Sequence, residues 1–218
     1  MVKLVFRVLA LFSGLWIALV VFVVVLPYDS TRAGEFMSLA DNCGGICLLG
    51  IQPGITRVGE ALVQLRGHSW VSDVQENAQG NGYAQISWGW SGEQPQEINT
   101  ARRGRITFYW VNEDVVTLED SVVETITIYT DIRIFSLQNW LGETDSGAAT
   151  LRPDGKLGYS VLYDIQGGIL NLYVELPCPA KLMTYWDAHS RITLSIGRSN
   201  QGFVQPIDLV GVCRTPQG

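Results

Sequence analysis

The sequence lacks the short motifs that carry most enzyme chemistry. Its 218 residues include only two histidines, His68 and His189, and contain no G-x-S-x-G nucleophile elbow and no C-x-x-C redox motif. His189 stands in the run Asp187-Ala188-His189-Ser190, but the members of a catalytic triad normally come from separate elements, so we interpret this run as a turn. Neighbouring carboxylates such as Glu119 and Asp120 do not establish the facing geometry that glycoside hydrolysis requires. We therefore assign no catalytic residue and no cofactor, and a hydrolase is the least favoured function.

Positive charge is also scarce. The 15 Lys and Arg residues are outnumbered by 21 Asp and Glu, which gives a formal net charge of −6. Two of the basic residues, Lys3 and Arg7, precede a hydrophobic run near the N-terminus, so the remainder of the chain is more acidic still. A nucleic-acid interface needs a basic surface, and we accordingly predict no nucleic-acid partner.

The hydrophobic run extends from Val8 to Leu26 without a charged residue. As a helix rising about 1.5 Å per residue it would cross the roughly 30 Å core of a bilayer. The positive-inside rule places Lys3 and Arg7 in the cytoplasm. We therefore predict a single-pass cell-membrane protein whose partner through residues 8–26 is the lipid bilayer, with residues 1–27 as a signal anchor and 28–42 as a linker. Cleavage after Thr31-Arg32-Ala33, which would give a secreted protein, is the alternative.

All four cysteines follow the hydrophobic run, as expected for an oxidising, extracytoplasmic compartment. They are Cys43, Cys47, Cys178 and Cys213, and they allow three pairings. We predict a tight ring between Cys43 and Cys47 and a longer loop between Cys178 and Cys213. Zinc is the rival interpretation, but one C-x3-C pair with two distant cysteines and two histidines is a poor ligand set, so we predict no metal.

Two short helices are indicated by 3.6-residue periodicity. In the first, Thr56 is the expected N-cap and Gly67 the stop, and the residues sharing one face are Val58, Ala61, Leu62 and Leu65. In the second, Thr130 or Asp131 is the expected cap and Gly142 the stop, and the shared face carries Ile134, Leu137 and Leu141. Helices this short need a sheet to pack against.

Strands are indicated by segments rich in β-branched and aromatic residues: 69–74, 83–90, 105–112, 122–129, 159–164, 170–175 and 191–196. The order of helix then strands, twice, predicts an α+β fold with short helices packed on antiparallel sheet behind the N-terminal transmembrane helix. We expect a tandem repeat with units at 43–129 and 130–218. One irregular β-rich domain with two incidental helices explains the same pattern.

Aromatic residues offer the best candidate for a binding surface. Ile86, Trp88 and Trp90 share one strand face by two-residue alternation. A face that displays Trp and Tyr could stack on sugars or dock a protein, and we take Tyr83, Trp88, Trp90 and Trp110 as the candidate binding face. The polar connection Ser91 to Gly104 is long enough to hold a function as well.

The segment Ile51 to Leu65, I-x-P-G-I-T-x-x-x-E-A-x-x-x-L after two cysteines, resembles uncharacterised bacterial membrane-anchored exported proteins. It is also distantly similar to small outer-membrane assembly lipoproteins and β-lactamase-inhibitor-like domains, although this chain has no lipidated cysteine. The resemblance implies a fold that works by protein contact, with no active site to transfer. We expect a structural or protein-interaction component of the bacterial envelope, such as an accessory subunit of a membrane complex, with a glycan-binding module as the alternative.

Overall fold

The structure, a computed structural model, describes residues 7, 12–16, 47–79, 83–109, 120–144, 146–165, 168–179, 181, 184–185, 188–196 and 213. Among the described residues after position 46, two helices have defined bounds, α1 (Val58–Gly67) and α2 (Ile134–Leu141), and residues 184–185 are also helical. The strands, in chain order, are β1 (Val71–Gln79), β2 (Tyr83–Trp90), β3 (Gly104–Tyr109), β4 (Thr125–Arg133), β5 (Ser146–Leu151), β6 (Lys156–Ile165), β7 (Gly168–Pro177) and β8 (His189–Ile196).

All eight strands belong to one antiparallel sheet with the order β1-β2-β3-β4-β8-β7-β6-β5. Strands β1 to β4 form one meander and β5 to β8 form a second. The two meanders join where β4 pairs with β8, with Ile126 opposite Leu194 and Ile128 opposite Ile192. Strand β8 therefore lies in the interior of the sheet, between β4 and β7.

One face of this sheet is apolar and buried. Strand register aligns a single row of large side chains across six strands: Ile86, Ile106, Ile126, Leu194, Leu170 and Tyr163. Each of these side chains is almost completely buried. Together with the buried faces of both helices they form one hydrophobic core, and burial of this apolar area is the main stabilising term in folding.

Helix α1 buries the four residues expected from the periodicity, Val58, Ala61, Leu62 and Leu65. Its cap differs from the expectation. Arg57 is the N-cap residue, and its backbone N–H donates to Oε2 of Glu60 at 3.1 Å, whereas Thr56 Oγ1 accepts from the Gln52 N–H at 2.8 Å. Thr56 thus closes the turn through Gly54, whose φ of +79° suits glycine.

Helix α2 buries Ile134 and Leu137, and Gly142 caps its C-terminus. Thr130 and Asp131 do not cap it, because β4 continues through them to Arg133. Thr130 instead donates its hydroxyl to the Ser190 carbonyl at 3.0 Å across the β4 and β8 pair. The predicted unit boundary between residues 129 and 130 therefore falls inside a strand.

The α+β class predicted from the sequence is wrong. The described chain is dominated by one continuous eight-stranded sheet, and helices α1 and α2 have only 10 and 8 residues. The prediction failed because periodicity locates elements but does not reveal that the two halves pair edge to edge through β4 and β8. The alternative of one β-rich domain with two incidental helices is the description that fits.

The N-terminal transmembrane helix that formed part of the predicted architecture is not found among the described residues either. Within the described residues, no helix has the length and apolar character needed to cross a membrane. Of the run Val8 to Leu26, the structure describes Phe12–Trp16, which are helical and exposed, and the rest of the run lies outside the described residues.

Candidate functional site

The face of the sheet opposite the core is polar. Most of the residues that alternate with the buried positions of β4, β8 and β7 are polar or charged, and they include Thr, Ser, Asn, Tyr, Arg, His, Asp and Glu. Thr127 and Thr193 are hydrogen-bonded through their Oγ1 atoms at 3.1 Å, and Ser160 Oγ donates to Asn171 Oδ1 at 2.6 Å. These contacts link polar side chains of neighbouring strands across the face.

Beside these hydroxyls, one row on the polar face alternates aromatic and cationic side chains. Tyr129 on β4, Arg191 on β8 and Tyr173 on β7 are direct register neighbours. The Arg191 guanidinium carbon lies 4.1 Å from the centroid of the Tyr173 ring. The Arg102 guanidinium carbon lies 5.6 Å from the centroid of the Tyr129 ring. Both distances are within the range of cation–π attraction.

Arg102 belongs to the connection between β2 and β3, and backbone hydrogen bonds join this connection to β4. The Asn99 N–H donates to the Tyr129 carbonyl at 2.9 Å, and the Asp131 N–H donates to the Glu97 carbonyl at 2.7 Å. Trp90 Nε1 donates to the Arg102 carbonyl at 2.8 Å, which fixes the backbone that carries the guanidinium. The Ser91 to Gly104 connection is therefore a wall of the polar face.

These elements enclose an open groove of about 340 Å³, here called the Arg–Tyr groove. Its side-chain lining is Asn99, Arg102, Tyr129, Tyr173, Glu175, His189 and Arg191, and Thr130, Val174 and Ser190 complete its floor. The volume is at the lower end of the range found for small-molecule sites. The polar side chains described above, such as Thr127, Thr193 and Asn171, lie on the same face of the sheet as the groove. A ligand longer than the groove could therefore contact them as well.

The acidic groups of the groove have partners. Glu175 is paired with Arg152, and Lys156 Nζ lies 3.8 Å from its other oxygen. The Tyr173 hydroxyl, which accepts from Arg152 at 3.3 Å, and Glu175 together raise the pKa of the Arg152 guanidinium. Asp131 accepts from the Asn99 amide at 2.7 Å and lies 3.3 Å from His189 Nδ1.

The two arginines of the groove differ from these acidic groups in their ion pairing. In the part of the chain that the structure describes, neither Arg102 nor Arg191 forms an ion pair with a carboxylate. The Nε of Arg191 is buried and has no hydrogen-bond partner among the described residues. A buried N–H donor without an acceptor is costly, and this one belongs to a residue that lines the groove.

His189 and Asp131 do not amount to a catalytic centre. A carboxylate beside Nδ1 can orient an imidazole, but within the described residues no hydroxyl or thiol is hydrogen-bonded to His189. The Ser190 hydroxyl donates instead to the Ile132 carbonyl at 3.1 Å. Asp187 lies outside the described residues. The described part of the chain also contains no group of three His, Cys, Asp or Glu side chains that could hold a metal ion.

The other histidine has a structural role. His68 Nδ1 accepts from the Trp70 N–H at 3.1 Å, and the two rings pack edge to face with centroids 4.9 Å apart. Partial burial lowers the pKa of His68. The imidazole therefore closes the turn between α1 and β1.

The candidate aromatic face predicted from the sequence does not form a binding surface at Trp88. That side chain is fully buried, because its position on β2 faces the core. Trp90 is half-buried, packs edge to face on Trp88 with centroids 5.7 Å apart, and supports Arg102. Tyr83 begins β2, but its side chain lies outside the described residues, as does Trp110.

The prediction that the chain contains a disulfide is confirmed. Cys178 and Cys213 are at disulfide distance, with their Cα atoms 5.6 Å apart. Cys47 is buried and disulfide-bonded, and its predicted partner Cys43 lies outside the described residues.

The sequence analysis missed the residues that form the groove. Two-residue alternation puts Tyr129 on the same face of β4 as Thr125 and Thr127, so part of the signal is present in the sequence. Tyr173 and Arg191 become neighbours only through the register of β7 with β8, which short-range patterns do not encode. No protein-family model, curated protein or solved structure significantly matches this chain.

Proposed function

We propose that this chain is an extracytoplasmic binding component of the bacterial envelope that holds a polar ligand, such as a glycan, in the Arg–Tyr groove. One observation carries the proposal. The groove presents two arginines that lie on tyrosine rings and have no carboxylate partner in the described structure. Side chains held in place before a ligand arrives lose little conformational freedom on binding, which favours affinity.

The groove is suited to binding. Its floor is formed by paired strands, so the spacing of Tyr129, Arg191 and Tyr173 is fixed by backbone hydrogen bonds. Hydroxyl and amide groups on the adjoining rows can exchange hydrogen bonds with sugar hydroxyls, and tyrosine rings provide apolar area for pyranose faces. These features support a ligand that extends across the sheet.

Two features support an extracytoplasmic location. The run Val8 to Leu26 has the polarity of an export signal, and Cys178 and Cys213 after it are at disulfide distance. We propose that the run directs the chain to the cell membrane and holds it there, with release after cleavage as the alternative. Alkaline extraction of membranes tests this. The intact chain should stay in the pellet, and a soluble form beginning near Gly34 would establish cleavage instead.

Binding can be tested with full-length protein purified in detergent and mixed with insoluble peptidoglycan or soluble envelope polysaccharides. We expect saturable binding that falls at least about tenfold in a Tyr129→Ala/Tyr173→Ala variant, because both rings support the groove cations. The matched control is Tyr159→Ala. It removes a half-buried tyrosine of β6 whose ring packs on Tyr185, with centroids 5.3 Å apart, and does not line the groove. An equal loss in both variants would show that folding, and not the groove, is responsible.

A protein-interaction role is the second candidate, and a separate surface favours it. Ile55, Val122 and Ile196 are exposed and lie at the same end of the sheet. Gly54 connects them, because its N–H donates to the Val123 carbonyl at 2.7 Å and its backbone lies against the Ile196 side chain. Affinity isolation from native membranes tests this role. A partner that is retained by the Tyr129→Ala/Tyr173→Ala variant and lost in Ile55→Asp would favour it.

A further inference from the structure

We propose that the Arg–Tyr groove recognises a phosphate group, with Arg191 as the main donor and Arg102 as the second. The inference rests on the proposed binding function and specifies the chemistry of the ligand. A phosphoryl oxygen acceptor suits guanidinium donors because both offer several hydrogen-bonding sites in fixed geometry. Arginine bound face-on to an aromatic ring keeps its N–H groups in the guanidinium plane, available to such an acceptor.

Arg191 is positioned for this by the sheet. It lies on the interior strand β8 and is paired with Tyr129 on one side and Tyr173 on the other. Its guanidinium carbon lies 4.1 Å from the Tyr173 ring centroid, and its buried Nε has no acceptor among the described residues. Because the Nε itself is closed to solvent, a ligand oxygen would be held by the terminal N–H groups of the guanidinium, since Arg191 lines the groove. The protein has already immobilised the side chain, so little further ordering accompanies binding.

Arg102 lines the same groove and belongs to the connection between β2 and β3. It lies over Tyr129, whose Cα is the register partner of Arg191, so the two cations flank one tyrosine. Trp90 holds the Arg102 carbonyl at 2.8 Å, which keeps this wall in place. The two arginines therefore converge on one groove.

The charge balance of the groove favours an anion although the chain as a whole is acidic. The carboxylates that line or border it, Glu175 and Asp131, are engaged by Arg152, Lys156, Asn99 and His189. Arg102 and Arg191 are left without a carboxylate in the described structure. The chain has a formal charge of −6 and as a whole repels anions. A cationic groove of this kind nevertheless raises the local concentration of anions.

The test is calorimetric titration of the full-length protein in detergent with inorganic phosphate at constant ionic strength, since salt alone screens exposed charges. We expect saturable binding of phosphate and at least about tenfold weaker binding of acetate, which presents two oxygens and a single charge. Arg191→Gln should weaken phosphate binding by at least about tenfold, and Arg191→Lys should restore part of it, because lysine keeps the charge but loses the fork.

The control is Arg66→Gln, which makes the same charge change on α1, where Arg66 pairs with Glu76 at 2.6 Å. It should bind phosphate like the parent chain. Thermal melting of each variant shows that it is folded. Absence of saturable phosphate binding, acetate binding as tight as phosphate, or an equal loss in Arg66→Gln would each overturn the inference.

The same titrations separate the inference from the proposed function. If envelope polysaccharide still binds and its binding depends on Tyr129 and Tyr173 but phosphate neither binds nor competes, the groove is a binding site for an uncharged ligand and the phosphate inference fails alone. If neither polysaccharide nor phosphate binds, both proposals fail. Competition of phosphate with polysaccharide, lost in Arg191→Gln, supports both.

Discussion

Gly104, the first residue of β3, lies opposite Trp88 in the register of β2 and β3. A Cβ atom built on Gly104 would fall 2.1 Å from Cε2 of the Trp88 indole, and atoms of the same ring lie at 2.2 and 2.7 Å. The indole is fully buried and so cannot swing into solvent. Glycine at this position is what allows the largest core side chain to lie flat on the backbone of β3.

Gly104→Ala is therefore expected to lower the free energy of unfolding by about 1 to 3 kcal/mol, the usual cost of overpacking a core. Chemical denaturation followed by tryptophan fluorescence measures it. Because Trp90 packs on Trp88 and holds the Arg102 carbonyl, a shift of Trp88 should also weaken ligand binding in the groove.

The matched control is Gly67→Ala at the last residue of α1, where an added Cβ meets no atom within 4 Å. Alanine has the higher helix propensity, so this variant should be unchanged or more stable by up to about 1 kcal/mol. If both alanine variants were destabilised equally, steric contact with Trp88 would not be the reason for glycine at position 104.

At the scale of elements, α1 is stabilised chiefly by burial against the sheet. It has only ten residues, and isolated helices of that length are marginal in water. Leu65 is fully buried within the core formed with the sheet, whereas Val63 on the opposite side of the helix is 72% exposed. The two residues therefore allow the packing contribution to be separated from helix propensity.

Leu65→Ala should destabilise the protein by about 2 to 5 kcal/mol, because it removes buried methyl groups and leaves a cavity. Val63→Ala should have almost no effect, or stabilise slightly, because alanine is the better helix former. Equilibrium denaturation of both variants checks the difference. Similar losses would mean that α1 contributes through its intrinsic stability and not through Leu65 packing.

The elements that the sequence predicted are those with strong local periodicity. The buried residues of α1 and the span of β2 follow from it directly, since one face or one alternation identifies each. Strand β5, with the sequence SGAATL, was missed because it contains one β-branched residue and no aromatic one. It is a strand because β6 pairs with it along its whole length.

The residues of the groove could be predicted from the sequence only in part. A single strand indicates which residues share a face, as it did for Tyr129, but the groove depends on three strands and one loop from positions 99 to 191. A shift of one residue in the pairing of β8 would turn Arg191 into the core and expose Ile192. The buried row of Ile126, Leu194 and Leu170 fixes that register, so the apolar core determines which polar residues meet on the other face.

At the scale of the whole molecule, β8 holds the two meanders together, and the Cys178 to Cys213 pair encloses it. Cys178 follows β7 and Cys213 follows β8, with a sequence separation of 35 residues. The cross-link therefore restricts, in the unfolded chain, the segment that must insert between β4 and β7. Strand β8 also carries Arg191 and His189, so its insertion builds the groove.

A Cys178→Ser/Cys213→Ser variant should lose roughly 4 kcal/mol of stability, the value that the chain-entropy model gives for a loop of this length. Cys43→Ser/Cys47→Ser would open a predicted ring of only a few residues and should lose about 2 kcal/mol on the same model. Denaturation of both variants, compared with the parent chain under oxidising conditions, measures the difference. Because β8 joins the meanders and carries Arg191, the first variant should also lose ligand binding at lower denaturant concentration than the second. Equal losses would mean that stability depends on local packing around each cysteine and not on the length of chain that each disulfide closes.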